Sequence, residues 1–260
     1  MSFIDSIIAQ VLGLEVSLHH AHARLACRTD NEALHDLRIN LRKLRSLLRP
    51  MRRLEAPRML DEAAADVGRL TTPVRDLEVL IVELERQGFH DPAIRRRQLL
   101  ESSYSAIDAS ATVQRFMAVL DGWPARMREA QRDGELDKLH ERVRIRLQRQ
   151  LQRLRESLAD SAFDRHELRL LVKRMRYAHE AYPRLSPLPG EAVQALRAVQ
   201  SALGGWHDHF QWCLRAEHER DLLVLKDRWE IAGDAELKAA EVELSILAEC
   251  LAKKEPSPVE

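Results

Sequence analysis

The sequence is poor in what a loop-rich or covalently stapled protein needs. It has 9 glycines and 10 prolines among 260 residues, too few for the many tight turns of a sandwich or barrel. Its 3 cysteines, Cys27, Cys213 and Cys250, are odd in number, far apart and in no CxxC pair. They make neither a disulfide framework nor a zinc site, and they suit a reducing cytoplasm. No apolar run approaches the roughly 18 residues of a membrane span, so the expectation is a soluble chain without membrane insertion. The opening stretch, MSFIDSIIAQVLGLEVSL, lacks a basic leader and carries Asp5 and Glu15 inside its apolar part. It reads as a first amphipathic helix rather than a secretory signal. The formal net charge is zero, so bulk composition names no partner.

What is present is the material of amphipathic helices: 32% charged residues set against 45% hydrophobic ones. The expected fold class is therefore all-α. Breaks between helices are expected at Asp30-Asn31, Glu55 to Pro57, Thr71 to Pro73, Gly88 to Pro92, Asp121 to Pro124, Asp133-Gly134, Asp160 to Asp164, Pro183 to Gly190, Gly204-Gly205 and Gly233-Asp234.

The chain also repeats itself. Residues 35 to 45 read HDLRINLRKLR and residues 166 to 176 read HELRLLVKRMR, aligned without a gap. Charge and apolarity persist where identity is lost: Asp36 becomes Glu167, Arg42 becomes Lys173, Lys43 becomes Arg174 and Leu44 becomes Met175. A second match sets LTTPVRDLEVL, from Leu70, against ALGGWHDHFQW, from Ala202, with Asp76 opposite Asp208. Each half is thus expected to be a four-helix unit.

On a helical wheel Leu34, Leu37, Leu41, Leu44 and Leu48 fall within about 80°, and His35, Arg38, Arg42, Arg45 and Arg49 fill a neighbouring arc of about 80° that holds no acid. His166, Arg169, Lys173 and Arg176 take the same arc beside Leu168, Val172 and Met175. A third segment places Leu139, Val143, Leu147, Leu151, Leu154 and Leu158 on a core face flanked by Arg142, Arg146, Arg149 and Arg153. The short link from Asp160 to Asp164 implies an antiparallel hairpin, in which this row and the one starting at His166 share a groove. Basic residues beside an apolar stripe often just cover the core edge. Here, however, like charges stand at i,i+4, at a cost of about 0.2 to 0.5 kcal/mol per pair. Residues 34 to 53 hold seven Arg or Lys against one acid. Such segregation in a neutral protein calls for a polyanion.

At these residues the chain resembles the CHAD family, the conserved histidine α-helical domain. The resemblance rests on the paired H-[DE]-L-R-x-x-x-[RK]-[KR]-x-R segments, on RYAHE from Arg176 to Glu180, on PVRDLEV from Pro73 to Val79, and on Q-x-x-L-G-x-x-x-D from Gln200 to Asp208. It implies two pseudo-symmetric four-helix bundles around a basic cavity or pore that binds inorganic polyphosphate, in a stand-alone form without a CYTH domain. It implies one domain over residues 1–252, made of a first repeat (1–90), connecting helices (91–130) and a second repeat (131–252), with a flexible tail at 253–260. Binding is expected from His35, Arg38, Arg42, Lys43, Arg45 and Arg49, from Arg142, Arg146, Arg149 and Arg153, and from His166, Arg169, Lys173, Arg174 and Arg176. Thr72 stands where the family usually has Gly, and His207 where a second repeat usually has Asn.

No cofactor and no catalysis are expected. The His35-Asp36 and His207-Asp208 doublets resemble those of metal-dependent phosphohydrolases, but adjacent helical residues diverge by about 100° and no further His and Asp pair completes a metal set. Their carboxylates are read as helix caps. His19, His20 and His22 are read as polar histidines on an apolar helix rather than as metal ligands. Arg75-Asp76 is read as a helix start whose ion pair orients neighbouring arginines. Nucleic acid is disfavoured because the basic rows hold almost no aromatic ring on which bases could stack. A scaffold role on polyphosphate or storage granules is the alternative to simple polyphosphate binding.

Overall fold

The computed structural model describes residues 2–252; the tail expected at 253–260 lies outside them. Every regular element among the described residues is helical. The chain runs α1 (Phe3–Cys27), α2 (Ala33–Leu48), α3 (Glu55–Arg86), α4 (His90–Asp108), α5 (Ala111–Arg132), α6 (Leu139–Ala159), α7 (Arg165–Ala181), α8 (Gly190–Ala216) and α9 (Leu223–Ala252), with short 3-10 turns at Arg49–Met51 and Arg220–Leu222. No described helix is long and apolar enough to cross a membrane.

Local chemistry sets several of the ends. Ser2 and Asp5 form a reciprocal capping box at the start of α1, which satisfies two of the orphan donors of a helix start. Hydrogen bonds from Ser2 and Arg128 hold the Asp5 carboxyl down at about 2. Asp164 caps α7 by accepting from the Glu167 amide. After α3 the chain turns through Gly88 and after α5 through Gly134, both with positive φ, which a residue bearing a Cβ would adopt only under strain.

Four of the expected breaks do not occur. Thr71 to Pro73 lies inside α3, Asp121 to Pro124 inside α5, Gly204-Gly205 inside α8 and Gly233-Asp234 inside α9. Pro73 removes one backbone donor, but the turn before it gains side-chain donors: Thr71 bonds the Val67 carbonyl at 2.8 Å and Thr72 the Gly68 carbonyl at 2.8 Å. The glycines have a different reason. A Cβ on Gly205 would lie 2.4 Å from the Glu236 carboxylate, and one on Gly233 would lie 3.3 Å from the His209 Cβ. Both positions lie at the contact between α8 and α9, and His209 Nδ1 crosses that contact to Glu236 Oε2 at 2.7 Å. Arg75-Asp76 consequently sits in mid-helix rather than at a helix start.

The chain divides between Val143 and Arg144 into two compact units. In the first, α2 packs between α1 and α3, while α4 and α5, the helices of residues 91–130, lie against α3 and α1. Leu34, Leu37, Leu41, Leu44 and Leu48 are all at most 2% exposed, as the wheel requires, and α5 adds the fully buried Phe116 and Trp123. In the second unit α6 contributes Leu151 and Leu154 to a core shared with Leu168, Val172 and Met175 of α7, Leu196 and Leu203 of α8, and Leu244 and Leu247 of α9. Each such leucine contributes about 1.5 to 3 kcal/mol by leaving water. This burial fixes which arc of α2 and α7 remains at the surface, and that arc is the basic one.

Candidate functional site

In the first unit the basic arc of α2 faces α3. His35 and Arg38 are half-buried. Arg38 Nη1 donates to the Gly68 carbonyl at 3.0 Å, to Thr71 Oγ1 at 2.8 Å and to Thr72 Oγ1 at 3.1 Å. Thr72, where the family usually has Gly, is therefore part of the seat of this arginine. Burial, and then the neighbouring Arg42 charge, push the Arg38 guanidinium down to about 10. His35 is also pushed below its ordinary value, first by burial and then by the charge of Arg75 on α3, with Arg42 adding to it. His35, Arg38, Arg42 and Arg75 thus form one cluster.

Arg75 is held in that cluster from behind. Its Nη1 donates to Glu78 Oε2 at 2.8 Å, and Tyr104 on α4 donates to Glu78 Oε1 at 2.5 Å. Glu78 is 8% exposed, so its charge is satisfied by these two partners rather than by water. Burial and Glu78 together hold the Tyr104 hydroxyl well above its usual range.

The rest of the α2 row behaves differently. Arg45 Nε is bonded to Asp61 Oδ1 at 2.9 Å, and Arg52 approaches the other carboxylate oxygen at 3.6 Å. Asp61 is 2% exposed, so Arg45 answers a buried charge of the protein itself. Arg49 is half-buried in the 3-10 turn and Lys43 is exposed on another side of the helix. Asp36, of the His35-Asp36 doublet, caps nothing; Arg24 on α1 binds it at 2.7 Å and Asp30 at 2.5 Å.

In the second unit His207 of α8 meets the α7 row. Its ring centroid is 5.0 Å from that of His166, and its pKa is pushed down to about 4, first by burial and then by Arg169, His166 and Lys173. Its Nδ1 is shielded from solvent and has no hydrogen-bond partner. Arg176 is bonded to Glu180 at 2.9 Å and lies over the Tyr177 ring, and Arg174 is exposed. On α6, Arg146, Arg149 and Arg153 are exposed, and Arg142 turns back to the Glu135 carbonyl at 2.6 Å.

The two clusters use equivalent positions. His35, Arg38 and Arg42 align with His166, Arg169 and Lys173, and Arg75 aligns with His207. Neither Arg75 nor His207 stands among the residues expected to bind ligand. The signal was in the second repeat match, which sets one cation-forming residue opposite another.

A family model, the CHAD domain, matches residues 10–217. The crystal structure of the CHAD domain from the plant Ricinus communis superposes with a TM-score of 0.66 over 98% of this chain and 94% of that one, at 19% sequence identity; it shows a shared fold. Comparison with curated proteins finds no match. A family match over most of the sequence, carried on a helical fold shared with a solved member, establishes that this chain belongs to the CHAD domain family.

Proposed function

We propose that the protein binds inorganic polyphosphate and performs no chemistry on it. The observation that carries this reading is the recurrence of one cation cluster at equivalent positions of both units. CHAD domains are associated with polyphosphate in general, and the ligand's chemistry fits. A linear anion with neither base nor sugar needs guanidinium forks and ammonium charge, but no stacking platform. The family resemblance implies two pseudo-symmetric bundles around a basic cavity or pore, and on this reading each cluster contributes cations to the polyanion. Exposed Arg146, Arg149 and Arg153 on α6 lengthen the track, whereas Lys43 and Arg174 leave it for another side of their helices. Hydrolysis would need carboxylates free to hold a metal and activate water, whereas the clusters are built from cations and Asp36 is taken by Arg24.

The test is a titration with end-labelled polyphosphate, in competition with DNA and RNA at matched phosphate concentration. Polyphosphate should win, and prolonged incubation should leave its length unchanged. Each charge-assisted contact contributes about 1.5 to 3 kcal/mol, so Arg38→Glu with Arg42→Glu, or Arg169→Glu with Lys173→Glu, should each weaken binding by more than tenfold. A silent pair in a folded variant would remove that unit from the site, and release of orthophosphate by the purified protein would overturn the non-catalytic reading.

A further inference from the structure

The first unit carries a second group of chemically capable side chains, on a different pair of helices from the basic cluster. Glu15 and His19 are four residues apart on α1 and share a helix face. Asp121 meets them from α5, which packs on α1. His19 Nε2 lies 3.1 Å from Asp121 Oδ1, and one ligand atom from each of the three residues lies within 4.8 Å of the other two. Glu15 Oε2 is shielded from solvent yet accepts no hydrogen bond. Two facing carboxylates are satisfied only by a shared proton or by a cation, and the nearby imidazole nitrogen is turned to Asp121. A shielded carboxylate oxygen in that position has an unmet demand for positive charge.

We infer that Glu15, His19 and Asp121 form a binding site for a divalent first-row transition metal, with Zn²⁺ the best fit. The imidazole nitrogen selects against Mg²⁺ and Ca²⁺, which favour all-oxygen sets. Two carboxylates and one imidazole make a three-ligand set that Zn²⁺ completes with water. Zinc bonds of about 2.0 to 2.2 Å place tetrahedral ligand atoms about 3.3 to 3.6 Å apart, inside the spread already present here. The His19 and Asp121 side chains are 49% and 55% exposed, which gives a hydrated ion access and leaves room for its remaining waters. The three histidines of the HHAH run thus part company. His22 faces Asp108 on α4 at 3.1 Å as a two-residue pair, and serves as an internal control.

The experiment uses the full chain stripped of metal, in the absence of polyphosphate, which itself chelates divalent cations. Equilibrium dialysis against Zn²⁺ should give a single saturable site per chain that survives excess Mg²⁺. His19→Ala and Asp121→Asn should weaken it by at least tenfold, and His22→Ala should leave it intact. Zn²⁺ should raise the melting temperature of the wild type and of His22→Ala but not of the two ligand variants. Glu15→Gln preserves side-chain size and decides the matter in the same assay if either ligand variant fails to fold. Absence of saturable Zn²⁺ binding, or wild-type affinity in folded His19→Ala or Glu15→Gln, would overturn the assignment. Neither result bears on the basic clusters.

Discussion

Acidifying the solution should change not only how tightly polyphosphate is held but how steeply salt weakens it. Five permanent cations stand in the two clusters: Arg38, Arg42, Arg75, Arg169 and Lys173. Each neutralised phosphate costs about 0.7 to 0.9 in the slope of log affinity against log salt for nucleic acids. The same counterion release along polyphosphate predicts a slope of about −3.5 to −4.5 near pH 8. His35 and His207 add nothing there, because burial and neighbouring cations hold both rings neutral. An opposite charge at contact moves a pKa by about one to three units. That is enough to lift His207 from about 4 past about 5.5 when the ligand is bound. Binding then takes up protons, so affinity rises as pH falls, and these two cations alone steepen the slope to at least about −4.9 to −6.3. The assay is fluorescence anisotropy of end-labelled polyphosphate of one length, between about 50 and 200 mM salt, at about pH 8 and about pH 5.5. Changing His35, His166 and His207 to Gln should make the two slopes equal. Equal slopes in the wild type, or a steepening that survives in the triple variant, would refute the reasoning.

Arg45→Gln should leave the salt slope unchanged and lower stability by about 2 to 4 kcal/mol in urea melts, since Asp61 would keep only the more distant Arg52. Adding Asp61→Asn should restore most of the loss, whereas a slope shallower by nearly one would place Arg45 on the ligand. The folded pKa of His207 lies below the value of about 6.5 for an unfolded chain, so the unfolded state takes up the proton first. Its contribution is complete above about pH 6.5 and is lost as pH falls toward 4. His207→Asn should therefore lose about 1 to 2 kcal/mol less than wild type between pH 7 and 4.5, after discounting for partial exposure; an identical loss in both proteins would count against it. Tyr104→Phe removes a hydrogen bond to the charged Glu78 and should cost about 1.5 to 3 kcal/mol in the same melts. Glu78→Gln should in addition weaken polyphosphate binding, because Arg75 loses its ionic anchor; unchanged affinity would exclude that anchoring role.

The helical fold and the core faces were legible because period-3.6 patterning is a local property. Leu34 to Leu48, and Leu168 to Met175, are buried as their spacing demands. The helix boundaries were less legible, because the chemistry that overrides a breaker comes partly from elsewhere in the chain. Pro73 lies inside α3, where the threonines before it seat Arg38 of α2, and Gly205 and Gly233 serve a helix contact that no local pattern reveals. The basic rows were visible as rows, but the division of labour within them was not. Arg42 and Arg45 share an arc of α2, yet a single buried acid on α3 claims Arg45. Arg75 beside Asp76 looked like a helix start, and only the packing of α3 on α2 with α4 behind it turns the side chain into part of the cluster.

The seat of Arg38 says which positions of a cluster can vary. One end of its guanidinium is spent on a carbonyl and two hydroxyls of α3, so the residue acts as a rivet between two helices. Its Nε is shielded from solvent and has no hydrogen-bond partner. A lysine carries equal charge but has neither the planar fork nor a second donor edge. A turn farther along, the chain itself has made the exchange: Arg42 in the first repeat is Lys173 in the second, while Arg38 and Arg169 are both arginine. The two halves thus share charge at the one position, and charge and shape at the other.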